Sequence, residues 1–351
     1  NKLRDTAGSA DAITLDPNGG AVLAGVTTVS TVKVGSGVTI SSDGDVFTTG
    51  ITTSSTVIVG SGVTISESGI EASGIGITCA NINGQAISGR RRLNMNGEFQ
   101  VWQRSTSEAS LGGSNGYFTT DRWRISGTGS QRYTMSRSTD TPTGQGFSYS
   151  MKIDCTTTHD FSSAGDYMFF HYRFEGQDLQ MIEKGTANAK PLAVSFWVKS
   201  PKTGVHIIEL TDEDNTRYNS QKYTVSSANT WEKHVVVFPG DTTGAFVNDT
   251  SKCCYFAFWG GAGTTYNGGS YTSSWHTNNN QRAGGGTANI FDSTSNDFYM
   301  TGFQIEVGDT ATAFEHRTYA EEFQLCQRYY QDWQDYTHPA HRGLDLSLIH
   351  I

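Results

Sequence analysis

One stretch in the C-terminal half of the chain combines the residue types that bind sugars. Residues 260–286 read GGAGTTYNGGSYTSSWHTNNNQRAGGG. Flat aromatic rings can stack on the apolar faces of sugar rings, and amide and guanidinium groups supply directed hydrogen bonds to hydroxyls. A structureless loop of this length inside a compact domain is either functional or disordered. The candidate carbohydrate-binding residues are Tyr266, Tyr271, Trp275, His276, Asn278 and Arg282.

The same residues have a structural interpretation that the sequence leaves equally open. Trp275 and the tyrosines would then pack beneath the loop as a small satellite core. Loss of glycan binding at an unchanged melting temperature, after substitution of Trp275 and Tyr271 by Ala, would indicate a binding site. Loss of stability with binding intact would indicate a core. The remaining tryptophans of this region lie in strand-like runs and are assigned to the main core: Trp102, Trp123, Trp197, Trp231 and Trp259.

Catalytic and metal-binding motifs are not supported. Residues 112–116 match G-x-S-x-G, but they lie in a polar loop without the strand and helix that a nucleophile elbow requires. The acidic residues 212–214 lack the spacing of an EF-hand, and the histidines and cysteines show no metal-ligand spacing. We therefore expect no catalytic residue, no metal and no cofactor. A carboxylate pair for glycoside cleavage is defined by separation in space and cannot be identified from sequence.

The elements that must position this loop are short β-strands. Apart from Phe47, every Phe, Tyr and Trp lies between Phe99 and Tyr336, so this region can build its own core. Short apolar runs bounded by Gly, Asn, Asp and Pro predict a jelly-roll β-sandwich head over residues 94–316. Apolar residues stand at even positions before Gly302 and at odd positions after it, and this change predicts a β-bulge at Gly302. The predicted strands are 99–101, 122–126, 149–153, 167–174, 193–199, 205–210, 221–225, 233–238, 254–259 and 298–307.

One C-terminal helix is predicted over residues 318–336. Thr318 is suited to the N-cap and Glu321 to the capping box that follows it. The apolar stripe of this helix packs on the sandwich or forms a seam on a three-fold axis, and both alternatives stay open. The stripe consists of Tyr319, Phe323, Cys326, Tyr330 and Trp333.

The part of the chain before the head is repetitive. Residues 25–41 and 50–66 are nearly identical, with a repeat period of 25 residues. Alternating Val and Ile predict half-buried strands, and the simplest cover for their apolar face is further copies of the chain around an axis. We interpret residues 25–88 as a repetitive β shaft, trimeric in the assembly; the alternative is a flexible linker. Residues 1–24 are expected to be disordered or upstream shaft, and the arginines at 90–92 to be a solvated hinge.

Composition excludes several classes of partner. The net charge is −9 and Lys and Arg are not clustered, so we expect no nucleic-acid partner. The sequence contains no run of 18 or more apolar residues, so we expect no membrane insertion. It also shows no secretory signal. The last six residues, LSLIHI, resemble the translation of a sequencing-library adapter. We expect residues 346–351 to be an artefact and the natural chain to continue past about Asp345.

Eight short motifs follow one another along the second part of the chain. They are residues 96–97 (NG) with Phe99, 101–104 (VWQR), 120–123 (TDRW), 195–200 (SFWVKS), 231–233 (WEK), 302–308 (GFQIEVG), 314–317 (FEHR), and 321–322 (EE) with 325–330 (LCQRYY). In this order they resemble the head domain of tailed-phage tail fibres, whose distal parts bind host receptors. The resemblance covers about two thirds of the chain and implies a sandwich like that of carbohydrate-binding modules. The family has no agreed binding residues to carry over.

The resemblance implies a mainly β phage tail fibre protein that adheres to a bacterial surface polysaccharide or lipopolysaccharide. It would be made in the host cytoplasm and reside in the virion, as a homotrimer joined to other phage tail proteins. Two alternatives stay open. One is a tailspike-like enzyme that degrades the glycan, and the other is a structural connector whose adhesive tip lies beyond the present C-terminus.

Overall fold

The computed structural model describes residues 91–286 and 288–332, together with the backbone of eight short strands nearer the N-terminus. The chain divides into two compact units, Asn1–Thr78 and Cys79–Ile351. The predicted shaft segment therefore contributes residues to both units.

The first unit contains two small antiparallel sheets. One consists of β1 (Lys2–Arg4), β2 (Asp11–Leu15) and β3 (Ala21–Leu23), and the other of β4 (Val57–Val59), β5 (Val63–Ser66) and β6 (Gly69–Ala72). The second sheet confirms strands in the second repeat, where Val57 pairs with Ile65 and Val59 with Val63.

The strands β1–β3 lie within residues 1–24, where β2 pairs with a strand on each side. For these residues disorder or upstream shaft was expected. The first repeat, residues 25–41, and the trimeric axis lie outside the described residues.

The second unit is a mainly β head, preceded by the hairpin β7 (Asn81–Ile82) and β8 (Gln85–Ala86). Its eleven longer strands form two antiparallel sheets. They are β9 (Ser107–Leu111), β10 (Trp123–Gly127), β11 (Arg132–Ser138), β12 (Ser150–Thr157), β13 (Tyr167–Glu175), β14 (Leu192–Lys199), β15 (Gly204–Asp212), β16 (Arg217–Val225), β17 (Glu232–Phe238), β18 (Lys252–Ala262) and β19 (Asp297–Val307).

The two sheets pack face to face around an aromatic core. The strand order is β10-β13-β18-β15-β16 in the five-stranded sheet and β17-β14-β19-β12-β11-β9 in the six-stranded sheet. Trp123 joins them, because its ring centroid lies 5.0 Å from that of Phe303 and 6.2 Å from that of Phe258. Phe170 and Phe258 stack with a centroid distance of 5.2 Å. The predicted jelly-roll β-sandwich is confirmed.

Most predicted strands are confirmed, with one error and two omissions. Residues 99–101 form no strand, because the Asn96 side chain binds both the N–H and the C=O of Val101 and Phe99 has a φ of 54°. The strand β9 was not predicted, since four of its five residues are exposed and it lacks apolar alternation. The strand β11 was also missed, although Tyr133 and Met135 alternate within it.

The predicted bulge at Gly302 is confirmed. The pairing of β14 with β19 shifts between Ser195 and Trp197, opposite this glycine. Gly302 has a φ of +64°, and a Cβ there would lie 2.6 Å from the Phe147 ring and 3.0 Å from Trp197. Only glycine meets both constraints without strain.

The C-terminal helix is shorter than predicted. α2 spans Tyr319–Gln327 and not 318–336, although the N-cap is confirmed because Thr318 Oγ1 accepts a hydrogen bond from the Glu321 N–H. The chain leaves the helix because two tyrosine rings pack against cations of the sandwich. Arg122 lies 3.4 Å from the ring centroid of Tyr329, and Arg104 lies 3.7 Å from that of Tyr330. Of the predicted stripe, Cys326 is buried and Tyr330 contacts Arg104, whereas Tyr319 is exposed. Tyr329 was not part of the stripe, and the three-fold seam stays a prediction.

Two of the three arginines at 90–92 do not form a solvated hinge. The backbone N–H groups of Arg91 and Arg92 donate to Glu315, and the buried Arg92 guanidinium pairs with Glu322 of α2. Glu322 also accepts the backbone N–H of Asn96. The beginning of the head is therefore fastened to its last helix, because a buried carboxylate requires such partners.

His206 makes the stability of the head depend on pH. Its ring is buried, stacks on Tyr223 at 5.2 Å and has one nitrogen without a partner. Burial lowers the pKa of His206 to about 4. In the unfolded chain the pKa is about 6.5. The unfolded state therefore takes up a proton at a higher pH than the folded state does.

We expect Gly302→Ala to lower the free energy of unfolding by about 3 kcal/mol, because a left-handed φ and a steric overlap add. Gly144→Ala is the matched control, since Gly144 has a φ of +76° but nothing within 4 Å of a Cβ. The control should lose about 1 kcal/mol. Urea unfolding of both variants measures the difference, and equal losses would contradict the proposed overlap.

We expect acid to destabilise the head through His206. Lowering the pH from about 6.5 to about 4 should reduce the free energy of unfolding by about 3 kcal/mol for this one group. Urea unfolding of the wild type and of His206→Phe across that range measures the effect. The variant should show a smaller pH dependence, and identical profiles would refute the assignment.

Candidate functional site

Residues 263–286, called here the cover segment, lie on the outer face of the five-stranded sheet. They are not structureless, because they include α1 (Thr264–Asn267) and a 3-10 helix at Asn279–Gln281. Tyr218 of β16 and His276 exchange backbone hydrogen bonds of 2.8 and 2.9 Å. The sequence did not predict this structure. The backbone of the cover segment makes hydrogen bonds to neighbouring segments, and such bonds leave no periodic pattern in the sequence.

Arg282 anchors the cover segment to the sheet. Its side chain is buried, with Nε 2.7 Å from Glu209 Oε1 of β15 and Nη2 2.9 Å from the Tyr255 hydroxyl. The Trp259 indole N–H donates to Glu209 Oε2 at 3.0 Å. Although burial opposes it, the negative charge of Glu209 raises the pKa of Arg282 above its usual range. Arg282 is therefore a structural anchor whose donors are already used.

Trp275 is also a packing residue. Its indole N–H donates to the Pro239 carbonyl at 2.7 Å, and its ring lies 5.4 Å from Lys184 Nζ. The ring packs, partly buried, against the main core. These contacts favour the structural interpretation for this residue.

The other four candidates lie on the same cover segment without forming one pocket. Tyr266 joins a second apolar cluster, with its ring centroid 5.5 Å from that of Trp259. Lys222 Nζ lies 4.0 Å from the ring centroid of Tyr271. His276 is half-buried, and burial lowers its pKa. Asn278 is exposed and donates to the Gln281 side chain at 2.8 Å.

An open cavity of about 130 Å³ adjoins the cover segment. The sequence did not point to it, because its walls come from four separate stretches of the chain. Aromatic and aliphatic side chains form part of the lining, and amide and carboxylate groups form the rest. Its lining includes Ile207, Trp259 and Ala283, and the polar residues Asp160, Asn267 and Asn289.

The polar groups of the cavity have acceptor capacity to spare. Asp160 Oδ1 accepts the backbone N–H and the hydroxyl of Ser162 at 3.0 and 2.8 Å, which leaves Oδ2 for another donor. These bonds lower the pKa of Asp160, so it stays a carboxylate at neutral pH. The Asn267 amide donates to the Ala262 carbonyl and retains its oxygen. Acceptors beside apolar side chains suit a ligand with hydroxyl groups and an apolar face, although the Trp259 ring in this lining is itself buried.

Two tryptophans assigned to the core are only half-buried. Trp197 and Trp231 lie at the six-stranded sheet, and the Trp231 indole N–H donates to Asp140 at 2.9 Å. Trp197 is half-buried because its side chain lies on the opposite face of β14 from the buried Phe196 and Val198.

The described part of the chain shows neither a metal cluster nor a membrane-spanning helix. No three His, Cys, Asp or Glu side chains there lie close enough together to hold a metal ion. None of the helices described is long and apolar enough to span a bilayer.

Comparison with known proteins gives structural likeness only. No family model and no curated protein matches the sequence. The enzymatically active domain of tailspike protein 4 of bacteriophage CBA120 is 15% identical, covers 64% of this chain and 22% of its own, and gives a TM-score of 0.32. This chain thus corresponds to about a fifth of that tailspike domain.

Two further similar structures are small single modules. A family 11 carbohydrate-binding module from a cellulase of Clostridium thermocellum is 13% identical over 61% of this chain and 99% of its own, with a TM-score of 0.28. A putative sugar binding protein from Bacteroides thetaiotaomicron is 9% identical over 62% and 100%, with a TM-score of 0.30. TM-scores this low carry no information about function.

We expect Glu209→Gln to release the cover segment, because it leaves the Arg282 charge buried without a counter-charge. The free energy of unfolding should fall by about 3 kcal/mol. Limited proteolysis should then cut within residues 263–286 before the sandwich unfolds. The double variant Glu209→Gln/Arg282→Met removes both charges and should recover much of the loss. A double variant as unstable as the single one would contradict the anchor role.

Proposed function

We propose that this protein is a non-enzymatic phage tail fibre protein that binds a bacterial surface glycan. The supporting observation is the open cavity beside the cover segment, where the partly exposed Ala288 adjoins the acceptors of Asp160 and Asn267. A pyranose ring presents an apolar face and a rim of hydroxyl groups, and this combination matches both parts of the lining.

The proposed biological setting rests on the sequence motifs that resemble phage tail fibre heads. In this setting the protein is a homotrimer in the virion, joined to other phage tail proteins and attached to surface polysaccharide or lipopolysaccharide. Three heads on one fibre would multiply a weak single-site affinity, because binding of the second and third heads is intramolecular. Light scattering of the full chain tests the oligomer, and a monomer at all concentrations would refute it.

We expect Asp160→Ala to weaken glycan binding about tenfold, because a charged hydrogen-bond acceptor is lost. Asp249→Ala is the matched control. Asp249 is also exposed and accepts the backbone N–H of the residue two positions on, Ser251, at 2.9 Å. The measurement is isothermal titration with surface polysaccharide fragments and adsorption of labelled protein to cells. Equal affinities of the two variants would count against the cavity.

Filling the cavity gives a second test that does not depend on charge. Ala288 lines the cavity and is partly exposed, so Ala288→Leu should occupy part of the space at little cost in stability. We expect the melting temperature to stay within a few degrees and glycan binding to be lost. Full binding by this variant would refute the cavity as the site.

The enzyme and connector alternatives predict other outcomes. Incubation with surface polysaccharide should leave the polymer chain length unchanged, and shortening would establish a polysaccharide-degrading enzyme. A folded protein that adsorbs to no cells and binds no glycan would support the connector, whose adhesive tip lies elsewhere.

A further inference from the structure

The outer face of the five-stranded sheet carries a group of cations at its β10–β13 side. Arg124 of β10 and Arg173 of β13 point outward, since their neighbours Trp123 and Tyr172 are buried in the core. Lys252 of β18 lies beside them, with Nζ 5.9 Å from the ring centroid of Tyr255. We call Arg124, Arg173 and Lys252 the cation cluster.

The two guanidinium groups of the cluster have no counter-charge. In residues 91–286 and 288–332 neither forms an ion pair, and Arg124 donates only to the Ser126 hydroxyl. The Nε of Arg173 is buried and has no hydrogen-bond partner. A buried donor without an acceptor costs free energy, and so do like charges held close together. Lys252 differs, because it pairs with Glu213.

The neighbouring groups respond to this positive potential. Burial, followed by Arg173 and Arg124, holds the pKa of the buried His171 well below its usual range, so that ring stays neutral. Burial and the same two arginines lower the pKa of Lys252 to about 8, although Glu213 contacts its ammonium group. The strand register places both arginines at one part of the face, because Arg124 pairs with His171, two residues before Arg173 on β13.

Other buried cations of the described residues find partners within the protein. Arg282 on the same face binds Glu209, Lys184 binds Asp212 and Asp241, and Arg92 binds Glu322. Arg122 has no carboxylate partner, but it donates to the Tyr172 hydroxyl and the Arg173 carbonyl. The Nε of Arg173 keeps a buried donor without an acceptor, and an external anion beside Arg124 would supply one. Guanidinium groups bind carboxylates through paired, charge-assisted hydrogen bonds.

We propose that the cation cluster binds the carboxylate of an acidic saccharide. This inference rests on the proposed glycan-binding function and names the class of glycan. The cavity and the cluster share one face, since Trp259 and Tyr255 both point outward from β18. Tyr255 and Trp259 are four residues apart on β18, which corresponds to about 13 Å along a strand. This distance is the length of a short oligosaccharide segment. One chain of acidic sugars can therefore place a hydroxyl-rich ring at the cavity and a carboxylate at the cluster.

The experiment compares matched pairs of glycans. An array of oligosaccharides containing glucuronate, galacturonate or N-acetylneuraminate is printed beside the carboxyl-reduced, neutral form of each. The full chain, Arg124→Gln, Arg173→Gln and the control Lys233→Gln are applied, and affinities for the retained glycans are measured by titration. Lys233 is exposed on the six-stranded sheet, so the control removes one positive charge from the other side of the sandwich. Inorganic phosphate alone is the third probe.

We expect the wild type and Lys233→Gln to bind an acidic glycan at least about tenfold more tightly than its reduced form. Arg124→Gln and Arg173→Gln should lose this preference and still bind the reduced form. Their melting temperatures should be equal to or above that of the wild type, because a repulsion is removed. A purely structural role of either arginine would instead lower the melting temperature.

Three results would overturn the proposal, and they separate it from the proposed function. Equal binding of acidic and reduced glycans by all proteins refutes the cluster and leaves glycan binding intact. Binding of inorganic phosphate as tight as that of the acidic glycan assigns the cluster to a free anion. Absence of binding to every glycan refutes the proposed function as well.

Discussion

The buried ion pair between Arg282 and Glu209 determines how the outer face of the five-stranded sheet is built. A carboxylate on a central strand cannot stay buried without a partner, and Arg282 supplies one only if the cover segment folds back onto the sheet. The same guanidinium holds the Tyr255 hydroxyl, and the Glu209 carboxylate holds the Trp259 indole. One charge on β15 thereby fixes the cover segment, the orientation of an aromatic ring and one wall of the adjoining cavity.

Charge pairing also divides this face into two parts with different properties. Where the cover segment lies, the cation is neutralised by the protein, and the surface offers aromatic rings and neutral or acidic acceptors. Beside β10, Arg124 and Arg173 remain without a counter-charge. The first part is suited to hydroxyl groups and the second to an anion.

Periodicity predicted the elements of the fold well, and the site poorly. Alternating apolar residues located most strands, and the parity change at Gly302 located a bulge. The extent of α2 was not predictable, because Arg122 and Arg104 end it through contacts distant in sequence. Arg282 was predicted as a carbohydrate-binding residue, but the structure pairs it with Glu209, which no local pattern links to it. The cavity and the cation cluster consist of residues brought together only by strand register, which short motifs do not encode.

The fastening of residue 92 to α2 has a mechanical consequence. Tension applied to the head through the chain before Arg92 is passed directly to Glu322 and Glu315, in the last described part of the chain. The load thus meets this short polar clasp before it reaches the hydrogen bonds that Leu93 and Asn94 make to β19. A pulling force would therefore strain the clasp before it strains the sandwich.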